Sequence, residues 1–158
     1  MQDVLGHHLY EGDRIAYIYN SGRLDIGIFQ KFRYNSKYDS LAVHVVNSDN
    51  TKVAVYGLRQ ENNKCYGIIK LSRCRILNTD ANSDITGISI KKGDLVAFSW
   101  MVVQSNIRYE IEIGLVDSIS KGVVKLSSGN YRCDSETIVL TEDMMPLEDQ
   151  ALWRLTQR

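Results

Sequence analysis

The sequence predicts a mostly-β chain made of two small barrels in tandem with a short C-terminal α-helix. Three observations lead there. The stretch "YEGDRIAYIY" at 10–19 returns as "KKGDLVAFSW" at 91–100, 81 positions on and in the same register. Short apolar-alternating segments end again and again in Gly, Asn, Ser or Asp, with a single proline, Pro146, in 158 residues, the pattern of strands joined by tight turns. A helical pattern is found only beyond residue 143.

The first strand of each copy follows a Gly-Asp turn, Gly12-Asp13 and Gly93-Asp94. Side chains alternate sides along a strand, so Ile15, Tyr17 and Tyr19 share one face and Ala16 and Ile18 the other. The second copy repeats this with Val96, Phe98 and Trp100 against Ala97 and Ser99. Tyr17 and Phe98 are expected in the core, whereas Tyr19 and Trp100 are either core residues or stacking platforms. After the turn "NSGR" at 20–23, Ile26-Gly27-Ile28 corresponds to Ile113-Gly114-Leu115. A mid-strand glycine marks a bulge, a bend or a close backbone approach, the means by which a short sheet curls up. The second copy carries six more residues before its glycine, in "SWMVVQSNIRYE", which lengthens its first hairpin.

"RILNTD" (75–80) and "IVLTED" (138–143) are expected to close each unit, and the longer first copy to hold an extra hairpin in "LAVHVVNSDNTKVAVYGL" with "NSDN" as its turn. "NTDANSD" at 78–84 reads as a linker, which divides the chain into domains 1–80 and 81–158. In the C-terminal segment Leu147, Ala151, Leu152 and Leu155 share a helical stripe with Met144, and Trp153 lies off it.

Lys+Arg and Asp+Glu both number 19, so the whole chain is neutral and has no general attraction for a polyanion. The halves differ. Residues 1–82 hold 11 basic and 8 acidic side chains, residues 83–158 hold 8 and 11. The first half is therefore the place to look for a polyanion site. Cys65, Cys74 and Cys133 form no C-x-x-C pair, no secretion signal is visible, and no apolar run approaches the ~18 residues of a membrane-spanning helix; a reducing cytoplasm is expected, a host's if the chain is viral.

Gly12, Asp13, Ile15, Tyr17 and Gly27, and again Gly93, Asp94, Val96, Phe98 and Gly114, form a pattern that resembles the KOW motif. That motif belongs to the small SH3-like barrels of ribosomal proteins and transcription elongation factors. A compact chain of this size with such barrels is also similar to the early transcription modulators of T-even-type coliphages. The resemblance implies SH3-like barrels that bind nucleic acid or polymerase, and a DNA-binding, transcription-modulating role of phage type.

The residues themselves point to the same end of the chain. In "QKFRYNSKYDS" Lys31, Arg33 and Lys37 interleave with Phe32, Tyr34 and Tyr38. Cations hold phosphates and tyrosine rings stack on exposed bases. Alternation places Lys31 and Arg33 on one side of the strand, and Phe32 and Tyr34 on the other. Lys70, Arg73 and Arg75 in "KCYGIIKLSRCR" are expected to extend the patch if the sheet brings them alongside, and Arg14 and Arg23, which flank the first hairpin, to complete it. With about three to five cations, binding to DNA is expected to be modest, salt-sensitive and mostly independent of sequence; no recognition helix for the major groove is present.

Other chemistry is poorly supported. His7-His8 point to opposite sides of an extended chain with no further ligand at metal spacing, and His44 in "LAVHVV" reads as a strand residue on a polar or partner-covered face. The thiols read as small apolar groups. Glu110 and Glu112 alternate with apolar residues as on a solvated strand face, and no nucleotide-binding, hydrolase or zinc-protease motif occurs. A non-enzymatic protein without cofactor is expected. The rival is a protein-binding module that uses barrel edges and Trp153 to hold or inhibit a host protein.

Overall fold

The computed structural model describes residues 1–19, 21–37, 39–71, 82–103, 107–145 and 149. The chain divides into two compact units, one comprising Met1–Leu71 with Ser99–Ile111, the other Ser72–Phe98 with Glu112–Arg158. Both are built of β-strands. Among the described residues no helix is long and apolar enough to cross a membrane.

The first sheet contains β1 (Arg14–Ile18), β2 (Leu24–Asn35), β3 (Ser40–Asn47), β4 (Lys52–Val55) and, after a small ladder of β5 (Gln60–Glu61) with β6 (Lys64–Cys65), β7 (Ile68–Lys70). Its order is β4-β3-β2-β1-β7, all antiparallel. The second contains β8 (Leu95–Val103), β9 (Ile107–Ser120), β10 (Val123–Leu126), β11 (Tyr131–Cys133) and β12 (Thr137–Val139), in the order β11-β10-β9-β8-β12. A 3-10 turn, Asp134–Glu136, leads into β12. The two orders are the same, and neither sheet closes into a continuous hydrogen-bonded ring among the described residues.

The repeated residues do the same work twice. Gly12 and Gly93 sit at φ +92 and +89, a backbone region that a side chain disfavours. Gly12 donates to the Phe29 carbonyl and Phe29 to that of Asp13; Gly93 and Val116, and Val116 and Asp94, repeat the exchange. Each aspartate also folds back on the turn: Asp13 accepts from the Tyr10 amide at 2.8 Å, and Asp94 from Lys91 at 2.7 Å.

Gly27 and Gly114 are sites of close approach. A Cβ on Gly27 would lie 2.5 Å from a Val45 methyl, 2.6 Å from the Val46 carbonyl oxygen and 3.2 Å from the Tyr17 ring. On Gly114 it would lie 3.1 Å from the Phe98 ring and 3.2 Å from Leu126. The matched aromatic packs over the matched glycine in both copies. The register shift comes three residues later, where Gln30 is the extra residue between Phe29 and Lys31, and Asp117 between Val116 and Ser118. These bulges turn the outward residues without breaking the inward row.

The core of the first unit is Leu9, Ile15, Tyr17, Phe29, Val43, Val45, Val55, Cys65 and Ile68, with Met1, Phe32, Val53 and Leu58 against it. Burial of each large side chain contributes about 1.5–3 kcal/mol. Tyr17 is fully buried, and its hydroxyl donates to Asp25 at 3.1 Å. Burial, with the adjoining Asp25 carboxylate, pushes its phenol above the usual range. Tyr19 is 39% exposed, its ring edge-on to Tyr17, and Trp100 is half-buried.

Several expectations are corrected. The closing strand of the first sheet is β7, and its last bond, from the Leu71 amide to the Arg14 carbonyl, has its counterpart in Leu140 to Leu95. Leu71 is thus the partner of Leu140; the stretch 75–80 lies outside the described residues. The β3–β4 hairpin, which turns with Asn50 at φ 60, is no addition, since β10–β11 matches it; the extra length lies in the β5–β6 ladder and the longer β2–β3 arm. Of the expected linker, 78–81 lie outside the described residues, whereas Asp84 is 4% exposed and part of the second unit's turn. Met144 is buried in a 3-10 turn, Glu142–Met144, and of the rest of the predicted C-terminal helix only Met145 and Asp149 are among the described residues.

Asp84 reveals that the duplication starts earlier, in Asp3-x-x-Gly6 and Asp84-x-x-Gly87. One carboxylate oxygen of Asp3 accepts from Leu5 and His7 and the other from Lys70 of β7 at 2.8 Å. Asp84 accepts from Thr86 and Ile88 and, with its other oxygen, from Val139 of β12 at 2.7 Å. The Thr86 hydroxyl adds a bond of 2.7 Å. Burial pushes the Asp3 carboxyl up, while the backbone donors pull it down. Removal of such an acceptor leaves buried N–H groups without partners. Asp84→Ala is expected to cost about 3 kcal/mol in urea unfolding, and Asp3→Ala a similar amount; unchanged midpoints for both would show that the carboxylates are dispensable.

Candidate nucleic-acid interface

The register of the first sheet decides which side chains share its outer face. Across β2 and β3, Phe29 faces Val45 and Phe32 faces Val43 on the core side. Lys31 faces His44, Arg33 faces Ala42 and Asn35 faces Ser40 on the other. On β4, Ala54 stands beside His44, and Lys52 beside Val46, on that same outer side. The expected separation of Lys31 and Arg33 from Phe32 and Tyr34 is therefore present in the register, although Tyr34, near the end of the arm, also borders the groove on the outer side.

An open groove of about 360 Å³ runs over this face, lined by Arg33, Tyr34, Asn35, Ser36, Ala42, His44 and Tyr56. Alanines at 42 and 54 keep its floor low. Tyr34 is 58% and Tyr56 40% exposed, so both rings offer surface to a ligand. The Asn35 amide reaches the Tyr56 hydroxyl at 3.4 Å. The Tyr34 hydroxyl donates to Asp39, and that bond pushes its phenol up.

Among the described residues no carboxylate forms an ion pair with Lys31, Arg33 or Lys52. Their field acts on His44: burial, then Lys31, then Arg33 hold its imidazole below the usual histidine range. A face with flat rings and cations that form no ion pair among the described residues is suited to an anion that carries a planar group.

The second sheet supplies an internal comparison. Where the first has Lys31 and Arg33, the second has Ser118 and Ser120; in place of His44 it has Lys125, whose charge is answered by Asp117 at 3.5 Å. The cationic face is confined to one copy.

Not every predicted residue joins it. Lys37 lies in the exposed β2–β3 turn, its amide bonded to Asn35 at 3.0 Å, near Tyr34. Arg14 is half-buried at the start of β1, opposite Ile28. Arg23 precedes β2 at the end remote from Arg33, about 30 Å away along an extended strand, so it does not complete the patch. Lys70 is engaged elsewhere, 2.9 Å from the buried Asp13 carboxylate, 3.3 Å from the His8 carbonyl and over the Tyr10 ring. Tyr38, Arg73, Arg75 and Trp153 lie outside the described residues. His44, Lys52 and Tyr56 are the additions. Alternation within "LAVHVVN" sets His44 opposite to the core valines, but its pairing with Lys31 depends on the bulge at Gln30.

Glu110, expected on a solvated face, is buried between Arg59 (3.3 Å) and Arg108 (2.9 Å), while Glu112 is exposed. Arg59 also pairs with Glu61 and lies over the Tyr66 ring at 4.3 Å. Two arginines and two glutamates balance there, which makes the cluster a structural tie for the Ser99–Ile111 segment within the first unit. Cys65 is fully buried, and burial pushes its thiol up to about 11. No group of metal-ligating side chains occurs among the described residues.

No family model matches the chain, and comparison with curated proteins gives no match.

The His44 environment sets a sign for pH dependence. The unfolded imidazole takes a proton near 6.5, the folded one only at lower pH, so stability is lost as pH falls from about 6.5 through the folded value. His44→Gln is expected to lose less stability than the wild type between about pH 7.5 and about pH 5.5 in urea titrations; equal losses would mean that neither burial nor the cations beside it disfavour the charged imidazole.

Proposed function

We propose that this chain is a non-enzymatic DNA-binding protein that modulates transcription or nucleoid function, and that its two units are SH3-like barrels of the KOW type. The five-stranded antiparallel order found twice, in which the last strand returns to the first, supports the barrel reading. So do the paired Gly-Asp turns and the glycines beneath Tyr17 and Phe98. The phage-type setting is carried by the resemblance to the early transcription modulators of T-even-type coliphages.

The observation that carries DNA binding is the cluster of Lys31, Arg33 and Lys52 without carboxylate partners beside Tyr34 and Tyr56. Cations on a sheet surface neutralise backbone phosphates and read no base edges, so affinity follows charge rather than sequence. Among the described residues of the first unit no helix borders this face, so the groove is left to accept a strand laid across the sheet.

One observation favours a protein partner as well. The outer side of the second sheet exposes Ile113, Leu115, Val123 and Tyr131, the last by 59%. A host protein held there is the second reading, and capture that survives nuclease treatment supports it.

Titration of DNA at several salt concentrations tests the first. Each lost phosphate contact removes about 0.9 from the slope of log K against log salt on duplex DNA. Lys31→Ala with Arg33→Ala is expected to flatten the slope by about 1.8 and to weaken binding on every sequence alike. An unchanged slope, or no binding by the wild type at low salt, would refute the assignment.

A further inference from the structure

We infer that the outer face of the first sheet is a proton-linked phosphate site, where Lys31 and Arg33 hold a nucleic-acid backbone phosphate over His44 and the imidazole takes up a proton as the phosphate binds. This rests on the reading of that face as a DNA interface and adds how the contact is regulated.

The geometry comes from the register. His44 is directly opposite Lys31 across β2 and β3, which places their Cβ atoms about 4.5–5.5 Å apart. Arg33 stands one outward position further along β2, opposite Ala42. Nothing bulky separates the three, because His44 has Ala42 before it on β3 and Ala54 beside it on β4. Around the imidazole, β2 contributes Lys31, Arg33 and Asn35, β4 contributes Lys52, and Tyr56 follows β4 directly on the other side of Ala54. The carboxylate closest in sequence to these groups on β2, Asp39, is bonded to Tyr34.

In the free protein partial burial, then Lys31 and Arg33, favour the neutral form of His44 near pH 7. A phosphate reverses the balance, since its charge offsets Lys31 and Arg33 and gives an imidazolium N–H an oxygen to donate to. The bound state therefore holds the proton to higher pH than the free state. Affinity must rise as pH falls through the window between the two, by at most tenfold per pH unit for one proton. The backbone phosphodiester exchanges no proton in that range, so the dependence belongs to the protein.

The test is fluorescence anisotropy with a labelled oligothymidine at constant ionic strength, from about pH 8 to about pH 5.5, on the wild type and His44→Gln. The wild type is expected to gain about five- to tenfold in affinity and the variant to show a flat profile. NMR of the wild-type His44 ring, free and saturated with the oligonucleotide, is expected to show its titration displaced to higher pH. Binding with coincident profiles, or an unmoved His44 titration, overturns the proton linkage and leaves DNA binding standing. Absence of binding at every pH overturns both. An equal displacement by inorganic phosphate alone, without oligonucleotide binding, overturns the assignment to a nucleic-acid backbone.

Discussion

Two buried carboxylates, Asp3 and Asp84, tie the last strand of each sheet to the turn that precedes its first. One oxygen folds the turn and the other takes the amide of Lys70 or Val139. β7 and β12 are only three residues long. A strand so short contributes few ladder bonds of its own, and the charged acceptor supplies a strong one from outside the ladder. With the last strand fixed beside the first, β1 is flanked on both sides, and Ala16, Ile18 and Ile69 are buried as fully as Ile15 and Tyr17. The interior position of the Gly-Asp strand in each sheet, next to the edge strand, follows from that tie.

On this frame the inward residues are constrained and the outward ones are not. Tyr17 and Phe98 must each fit over a glycine, and Val45 and Leu126 must fill the space beside it. Nothing comparable limits the outer face, where Lys31, Arg33 and His44 stand against Ser118, Ser120 and Lys125. Part of the charge difference between the halves is thus a difference between two outer faces on one backbone plan. It also separates the free cations of the first sheet from those used in structure: Lys70 on Asp13, Arg59 and Arg108 on Glu110.

The parts of the fold that depend on backbone geometry were legible in the sequence. Gly12-Asp13, Gly93-Asp94 and the matched glycines at 27 and 114 announced their turns and close approaches because few other residues can occupy them. The Asp-x-x-Gly pair was equally present, but Asp84 among small polar residues has the composition of a linker, and only its burial separates the two. The closing strand was misplaced because "RILNTD" shares with "IVLTED" a Leu followed three residues later by Asp, whereas "IKL" shares with "IVL" only its Ile and Leu, too little to set a register. In the interface, alternation alone found Lys31 and Arg33. Lys52, Tyr56 and the role of His44 required cross-strand pairing, which the bulges at Gln30 and Asp117 shift by one residue with no mark in the sequence.

The central claim is that one backbone plan occurs twice and that DNA meets only the first copy. Amide chemical shifts of the isotope-labelled chain, followed during titration with an oligonucleotide, test it most directly. Contact through the first sheet predicts the largest changes at Lys31, Arg33, His44 and the neighbouring positions of β4, with the amides around Ser118, Lys125 and Tyr131 unmoved. Changes centred on those second-sheet positions, or spread evenly over both sheets, would contradict it.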